Sequence, residues 1–171
     1  MGVFAKYITC ALVFVIAFTV SDINSLNVET AENGQTDKLL RHVDMCFRQK
    51  RYTAPEEANA YDLYKKVLEL DPSHTDALKR IYEIFDALLN RLSGEVQIYA
   101  GLIKAETEGR NVKMDIVNSL TDMIATLGDC GKICREYPRQ DSETARMCEM
   151  LKDNTAKYTK MRSFYQQKLY K

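Results

Sequence analysis

The sequence predicts an all-α protein, a small disulfide-linked bundle or short right-handed superhelix of six or seven helices. Three observations carry that expectation. Apolar residues recur three and four apart from about residue 36 onward. No segment alternates at period two for long enough to build a strand. Four cysteines remain once an N-terminal leader is set aside, and they offer two cross-links.

The leader comes first in the chain. Lys6 supplies the positive charge, and residues 7–20 form an uncharged apolar run that ends near Thr19 and Ser21. A basic start, an apolar core and small residues at its end describe a secretory signal peptide, cut here after Ser21. The run is 14 residues long, short of the ~20 that span a bilayer. Residues 22–35 follow with Asp22, Glu29 and Glu32 and no base, and read as a mobile acidic tail. Residues 36–171 then form a single helical domain. Cleavage removes one of the 24 basic residues and none of the 24 acidic ones, leaving a net charge of about −1. Nothing in that balance points to nucleic acid. No Asn-x-Ser/Thr acceptor is present.

The helices follow in order. The first is expected at about 36–50, with Leu39, Leu40, Val43, Cys46 and Phe47 on one side. Pro55 suits the first turn of the second, at about 55–70, where Ala60, Tyr61, Tyr64, Val67 and Leu68 share a side. Asp71-Pro72 stops it, because the residue before proline is pushed out of the helical region. A third helix, about 74–91, carries Leu78, Ile81, Phe85, Leu88 and Leu89, and Ser93-Gly94 is expected to break it. A fourth, about 95–107, uses Val96, Tyr99, Leu102 and Ile103 and ends at Gly109. A fifth, about 111–127, has Ile116, Val117, Leu120, Met123, Ile124 and Leu127, with Gly128 as its left-handed end. A compact corner follows, with one helical turn. The last long helix begins near Asp141 or Ser142 and runs to about Leu169.

Residues 58–85, ANAYDLYKKVLELDPSHTDALKRIYEIF, resemble the junction between two tetratricopeptide repeats. Ala60 is the small residue, Tyr64 the aromatic, and Asp71-Pro72 the stop before the next hairpin. The resemblance implies peptide or protein binding in a concave groove and carries no catalytic residue. It covers one junction. Tyr82 stands where the family prefers a small residue.

With Glu136 and Ser142 level across an antiparallel hairpin, Cys130 falls opposite Cys148, and Cys46 is left to pair with Cys134. A zinc reading competes, with His42, Cys46, Cys130 and Cys134 as the four ligands. It leaves Cys148 unused.

No constellation for catalysis emerges. His74 sits in a turn, no serine lies in a nucleophile elbow, and no glycine-rich loop cradles phosphate. No cofactor is expected. The most informative surface is the C-terminal helix, where Lys157, Lys160, Lys168 and Lys171 share a face with Phe164, beside Tyr158, Met161 and Tyr165. That face reads as a docking strip for an acidic protein surface, a sulfated polysaccharide or an anionic membrane. Equally, it reads as a solvated face whose bases favour the helix C-terminus. The functional expectation is a secreted, non-enzymatic protein-binding protein, an inhibitor or effector acting on an extracellular partner. Two alternatives are a carrier of a small hydrophobic ligand and a cytokine-like helical signalling protein.

Overall fold

The structure is a computed structural model. It describes residues 38–56, 58–139 and 141–170. The signal peptide, the acidic tail and Lys171 lie outside the described residues. Among those described, five helices and no strand are present: α1 (38–48), α2 (Ala60–Leu70), α3 (Thr75–Thr107), α4 (Lys113–Glu136) and α5 (Ser142–Leu169). The chain divides into two compact units between Ala77 and Leu78.

In the first unit, α1 ends without glycine. Lys50 takes the left-handed conformation at φ 57°. Its N–H donates to Phe47 O (2.9 Å), and the Arg51 N–H donates to Cys46 O (3.0 Å). These two bonds make a Schellman motif that satisfies the last carbonyls of the helix. The chain then folds back on the start of α2. Ala60 and Tyr61 donate their N–H groups to Arg51 O and Tyr52 O (2.8 and 2.9 Å), so two of the orphan donors of α2 find backbone partners.

Asn59 ties this turn together. It is 1% exposed. Its Oδ1 caps α2 by accepting from Asp62 N–H at 2.8 Å. Its Nδ2 lies within reach of Thr53 O, Pro55 O and Asp62 Oδ2, at 3.2, 2.9 and 2.6 Å. One amide thus serves a helix cap and two loop carbonyls. This explains why α2 begins at Ala60 rather than at Pro55, as the sequence suggested. The stronger cap lies four residues later, and Pro55 spends its carbonyl on Asn59. Below it, Val43, Cys46, Ala60, Tyr61, Tyr64 and Val67 are buried. The Phe47 ring meets Tyr52 and Tyr64 edge-on at 5.5 and 6.5 Å.

Asp71 ends α2 as expected. Its Oδ1 accepts from both the N–H and the hydroxyl of Ser73 (3.0 and 2.7 Å). The Ser73 hydroxyl is the main reason its carboxyl sits below the usual range. His74 is a cap rather than a free surface residue. Its Nδ1 accepts from the Ala77 N–H at 3.2 Å, at the first turn of α3.

In the second unit the expected break at Ser93-Gly94 does not occur, and the third and fourth predicted helices are one. A helical glycine costs about 1 kcal/mol, little against a helix of 33 residues. Arg91 and Glu95 also bridge the position with an i, i+4 ion pair at 2.8 Å. The real stop is Gly109 (φ 85°). There the Gly109 and Arg110 N–H groups donate to Glu106 O and Ala105 O (2.9 and 3.1 Å). Likewise Gly128 does not end α4. The helix continues through Gly128 and Gly131 to Glu136 and absorbs the corner turn.

Helix α5 starts where expected. Asp141 Oδ1 accepts from the Thr144 N–H at 2.7 Å, and that bond holds its carboxyl below the usual range. Arg139 fastens the corner to α3. Its guanidinium lies 4.3 Å from the Tyr82 ring centre, donates to Tyr82 O at 3.4 Å and stands 3.6 Å from Asp86. At the other end Ile116, Val117, Leu120 and Tyr165 form a buried cluster, with Tyr99, Leu102, Tyr158, Met161 and Leu169 packed against it.

The expected cross-links are corrected. Cys134 pairs with Cys148 at a Cα separation of 6.0 Å, while Cys46 and Cys130 are buried free thiols. The expected register placed Glu136 level with Ser142. The connection at 137–141 includes extended backbone at Asp141. It carries the first turn of α5 past the end of α4, which brings Cys134 rather than Cys130 opposite Cys148. The zinc alternative also falls, since Cys134 is committed to a disulfide.

Asn59→Ala is expected to cost about 1–3 kcal/mol, because it removes a cap and the bonds of a buried amide to two loop carbonyls. Asn59→Asp should be no better, since a carboxylate would face Thr53 O, Pro55 O and Asp62. Urea unfolding monitored by circular dichroism measures both, and a loss under about 1 kcal/mol would contradict this role. Replacing Cys134 and Cys148 by serine together should lower stability by about 3 kcal/mol, the expectation for a loop of this short span. The same titration reads it.

Candidate docking surfaces

Helix α5 is amphipathic in an unusual sense: its inward face is short of large apolar groups. Only Leu151 and Tyr165 are buried. Thr155, Thr159 and Ser163 turn their hydroxyls back to the carbonyl four residues earlier, at 2.8, 2.7 and 3.1 Å. Their polar atoms are thereby satisfied within the helix.

The outward face carries the predicted strip. Lys157, Lys160, Phe164 and Lys168 are all exposed, Phe164 at 53%. Lys168 Nζ lies 4.4 Å from the Phe164 ring centre and 5.3 Å from that of Tyr165. Lys157 Nζ lies 5.8 Å from Tyr158. Two cations are thus laid over aromatic faces. No acidic residue occurs between Asn154 and Tyr170. Lys171, the fifth predicted member, lies outside the described residues.

Tyr165 anchors the strip from within. Its hydroxyl donates to Glu106 Oε2 at 2.7 Å. Burial, reinforced by that bonded carboxylate, pushes its pKa up to about 12. The Tyr99 ring meets Tyr158 edge-on at 6.2 Å, and burial raises the Tyr99 hydroxyl as well.

A second surface was not anticipated. Between α4 and α5 runs a groove of about 600 Å³, walled by Leu127, Gly128 and Gly131 on one side and Thr155 and Ala156 on the other, with the Cys134–Cys148 bridge alongside. Arg135 and Lys152 stand at it, and its one acid is Glu149, which lies 4.0 Å from Lys152. In the sequence Gly128 and Gly131 read as helix punctuation. Their spacing of three on one helix, opposite Ala156, was the available signal. In the first unit a hollow of about 540 Å³ is lined by Leu39, His42, Lys66 and Leu70.

The two thiols are structural. Cys46 is fully buried and donates weakly to Ala58 O at 3.7 Å, a carbonyl that also accepts from Arg51. Cys130 is fully buried, and desolvation, with Asp129 and Glu95 nearby, raises its pKa to about 12. Burial thus holds the Cys130 thiol in its neutral form, which disfavours nucleophilic attack at neutral pH. Glu95 Oε1 accepts from Arg91 and from the Thr126 hydroxyl (2.8 and 3.0 Å), while its Oε2 is buried without a partner. Among the described residues no group of three or more His, Cys, Asp or Glu is arranged to hold a metal. Also among them, no helix is long and apolar enough to cross a membrane.

Raised pKa values at Cys130 and Tyr165 set an alkaline limit. The unfolded chain releases these protons near pH 9 and 10, the folded chain near 12. Their contribution is intact below pH 9 and is lost as pH climbs toward 12. Melting temperature should fall across that window, and Cys130→Ala and Tyr165→Phe should each flatten the fall. A wild-type decline no steeper than that of either variant would contradict the assignment.

Compared with known proteins, the chain matches no family model, no curated protein and no solved structure.

Proposed function

We propose that this chain is a secreted, non-enzymatic binding protein that occupies the surface of an extracellular protein through the outward face of α5. The observation that carries the reading is the strip itself. Lys157, Lys160 and Lys168 share a face of α5 with the exposed Phe164, Lys168 Nζ lying 4.4 Å from its ring centre, and no carboxylate lies on that stretch of helix to neutralise them. An exposed aromatic on a basic face offers an apolar anchor and a charged rim, the arrangement that interfaces use to combine affinity with steering. The partner is an acidic protein surface. A sulfated polysaccharide would meet the same charges but leave Phe164 without use.

Export supports the reading. A leader cut after Ser21 delivers the chain to an oxidising compartment, where the Cys134–Cys148 bridge persists. The sequence offers no catalytic constellation, and His74 serves as a helix cap through its Nδ1. The likeness of residues 58–85 to a tetratricopeptide junction rests on the buried Ala60 and Tyr64 and on the turn at Asp71-Pro72. It goes no further than that hairpin. A repeat of ~34 residues holds two helices, whereas α3 alone has 33 residues.

The test is capture from extracellular fluid with two purified baits, the wild-type mature chain beginning at Asp22 and K157E/F164A/K168E. The wild type should retain an acidic protein whose binding weakens steeply as salt rises. The variant, with its helical circular dichroism unchanged, should not retain it. If both baits retain the same proteins, the α5 strip is not the contact surface.

A further inference from the structure

The groove between α4 and α5 pairs an apolar floor with a cation, Arg135, that has no carboxylate partner among the described residues. Leu127, Gly128 and Ala156 provide the floor. The Thr155 hydroxyl is engaged with Leu151 O, so the residue adds no unmet polar group. Arg135 folds back along its own helix. A Cβ added at Gly131 would lie 3.5 Å from Arg135 Nη1, ordinary contact distance, which places the guanidinium beside that turn of α4. No carboxylate pairs with Arg135 among the described residues, while Glu149, the only acid of the groove, is next to Lys152. The volume, about 600 Å³, falls within the range of small-molecule sites, ~300–1,000 Å³.

We propose that this groove binds a single-chain amphiphile with an anionic head, the chain lying over Leu127, Gly128 and Ala156 and the head meeting Arg135. Charge complementarity selects this occupant. A neutral lipid leaves the guanidinium unused, and an inorganic anion leaves the apolar floor open. A carboxylate or phosphate head accepts two parallel N–H bonds from the fork of Arg135. The chain needs no deep cavity, because an open groove between two helices matches an extended alkyl group along its length. Lys152, on the opposite wall, adds a second positive charge. The site shares no residue with the α5 strip and stands whether or not that strip docks a protein.

The probes are laurate, dodecyl phosphate and methyl laurate, each titrated below its micelle concentration into the full mature chain by isothermal calorimetry. Laurate and dodecyl phosphate should bind with one-to-one stoichiometry, and methyl laurate about tenfold or more weaker. Equal binding of all three overturns the role of Arg135, and no binding of either anion overturns the site. Binding of laurate alone would identify a carboxylate reader, and of dodecyl phosphate alone a phosphate reader. Arg135→Gln should weaken both anions about tenfold. Gly128→Leu fills the groove from a position with nothing within 4 Å of an added Cβ. It should abolish binding while helix content holds or rises. Ala156→Phe does the same from the opposite wall, so a folding failure in one leaves the other to decide. K157E/F164A/K168E should bind as wild type. Full binding by both groove-filling variants would place the ligand elsewhere and sink the proposal. Retention of an acidic peptide instead of any alkyl probe would do the same.

Discussion

Helix α5 is 28 residues long and buries two side chains well, Leu151 and Tyr165. Burial of such groups stabilises by about 2–3 kcal/mol each, modest for an element of that length. Its position therefore depends on fixation at both ends. Near its start the Cys134–Cys148 bridge joins it to α4, and Asp141 caps it. Near its finish Tyr165 reaches Glu106 on α3 within the small apolar cluster around Leu120. Between these anchors Tyr158 and Met161 are only partly buried, and Thr155 and Thr159 have hydroxyls that are satisfied in place. The polar character of α5 is what leaves it free to present two surfaces, and the anchors are what keep those surfaces in register.

Much of this architecture was legible in the sequence. Three-and-four spacing located an apolar stripe in each of the five helices, although residues 128–136 read as a corner rather than as the end of α4; Asp71-Pro72 and Gly109 marked true stops, and Asp141 marked a true start. What misled was glycine inside a helix. Gly94 and Gly128 look the same in sequence as Gly109, yet only Gly109 adopts a positive φ. The difference lies in what surrounds them. Gly94 sits within an ion-paired turn, and Gly128 in a run whose neighbours Met123, Leu127 and Cys130 are buried and hold the helix on course. The cost of one helical glycine is small beside such packing, so punctuation is decided by context that a linear reading does not contain. Asn59 is the reverse case. The linear reading placed it inside a helix beginning near Pro55, because its bonds to Thr53 O and Pro55 O depend on a loop path that the sequence does not disclose.

The cysteines divide by the same logic. An even count suggested that all four were cross-linked, but burial sorts them more finely. Cys134 and Cys148 are half-buried where two helices meet. Cys46 and Cys130 have no exposed surface and behave as small apolar residues. The neighbours of Cys130 make ionisation harder still, since Asp129 and Glu95 oppose a second negative charge. Glu95 is itself only half satisfied, with Oε1 taking both bonds and Oε2 none.

The groove and the strip draw on different parts of the helical period. Residues 148, 152 and 155 turn toward α4, while 157, 160, 164 and 168 turn away. At 3.6 residues per turn the centres of the two sets lie well over a quarter of the circumference apart, although Ala156 at the groove edge is only about 40° from Lys160. The strip is uniformly basic, because the second half of α5 has no acid, whereas the groove holds Glu149 along with Arg135 and Lys152. They differ in what accompanies the charge. On the strip, Lys168 lies over the exposed Phe164 ring and Lys157 over the half-buried Tyr158 ring. In the groove, a guanidinium stands beside a glycine in a hollow of about 600 Å³. An aromatic-cation face fits a broad acidic surface, and an apolar channel with one guanidinium fits a narrow tail with one anionic head. The same helix can serve both because its inward residues ask so little of it.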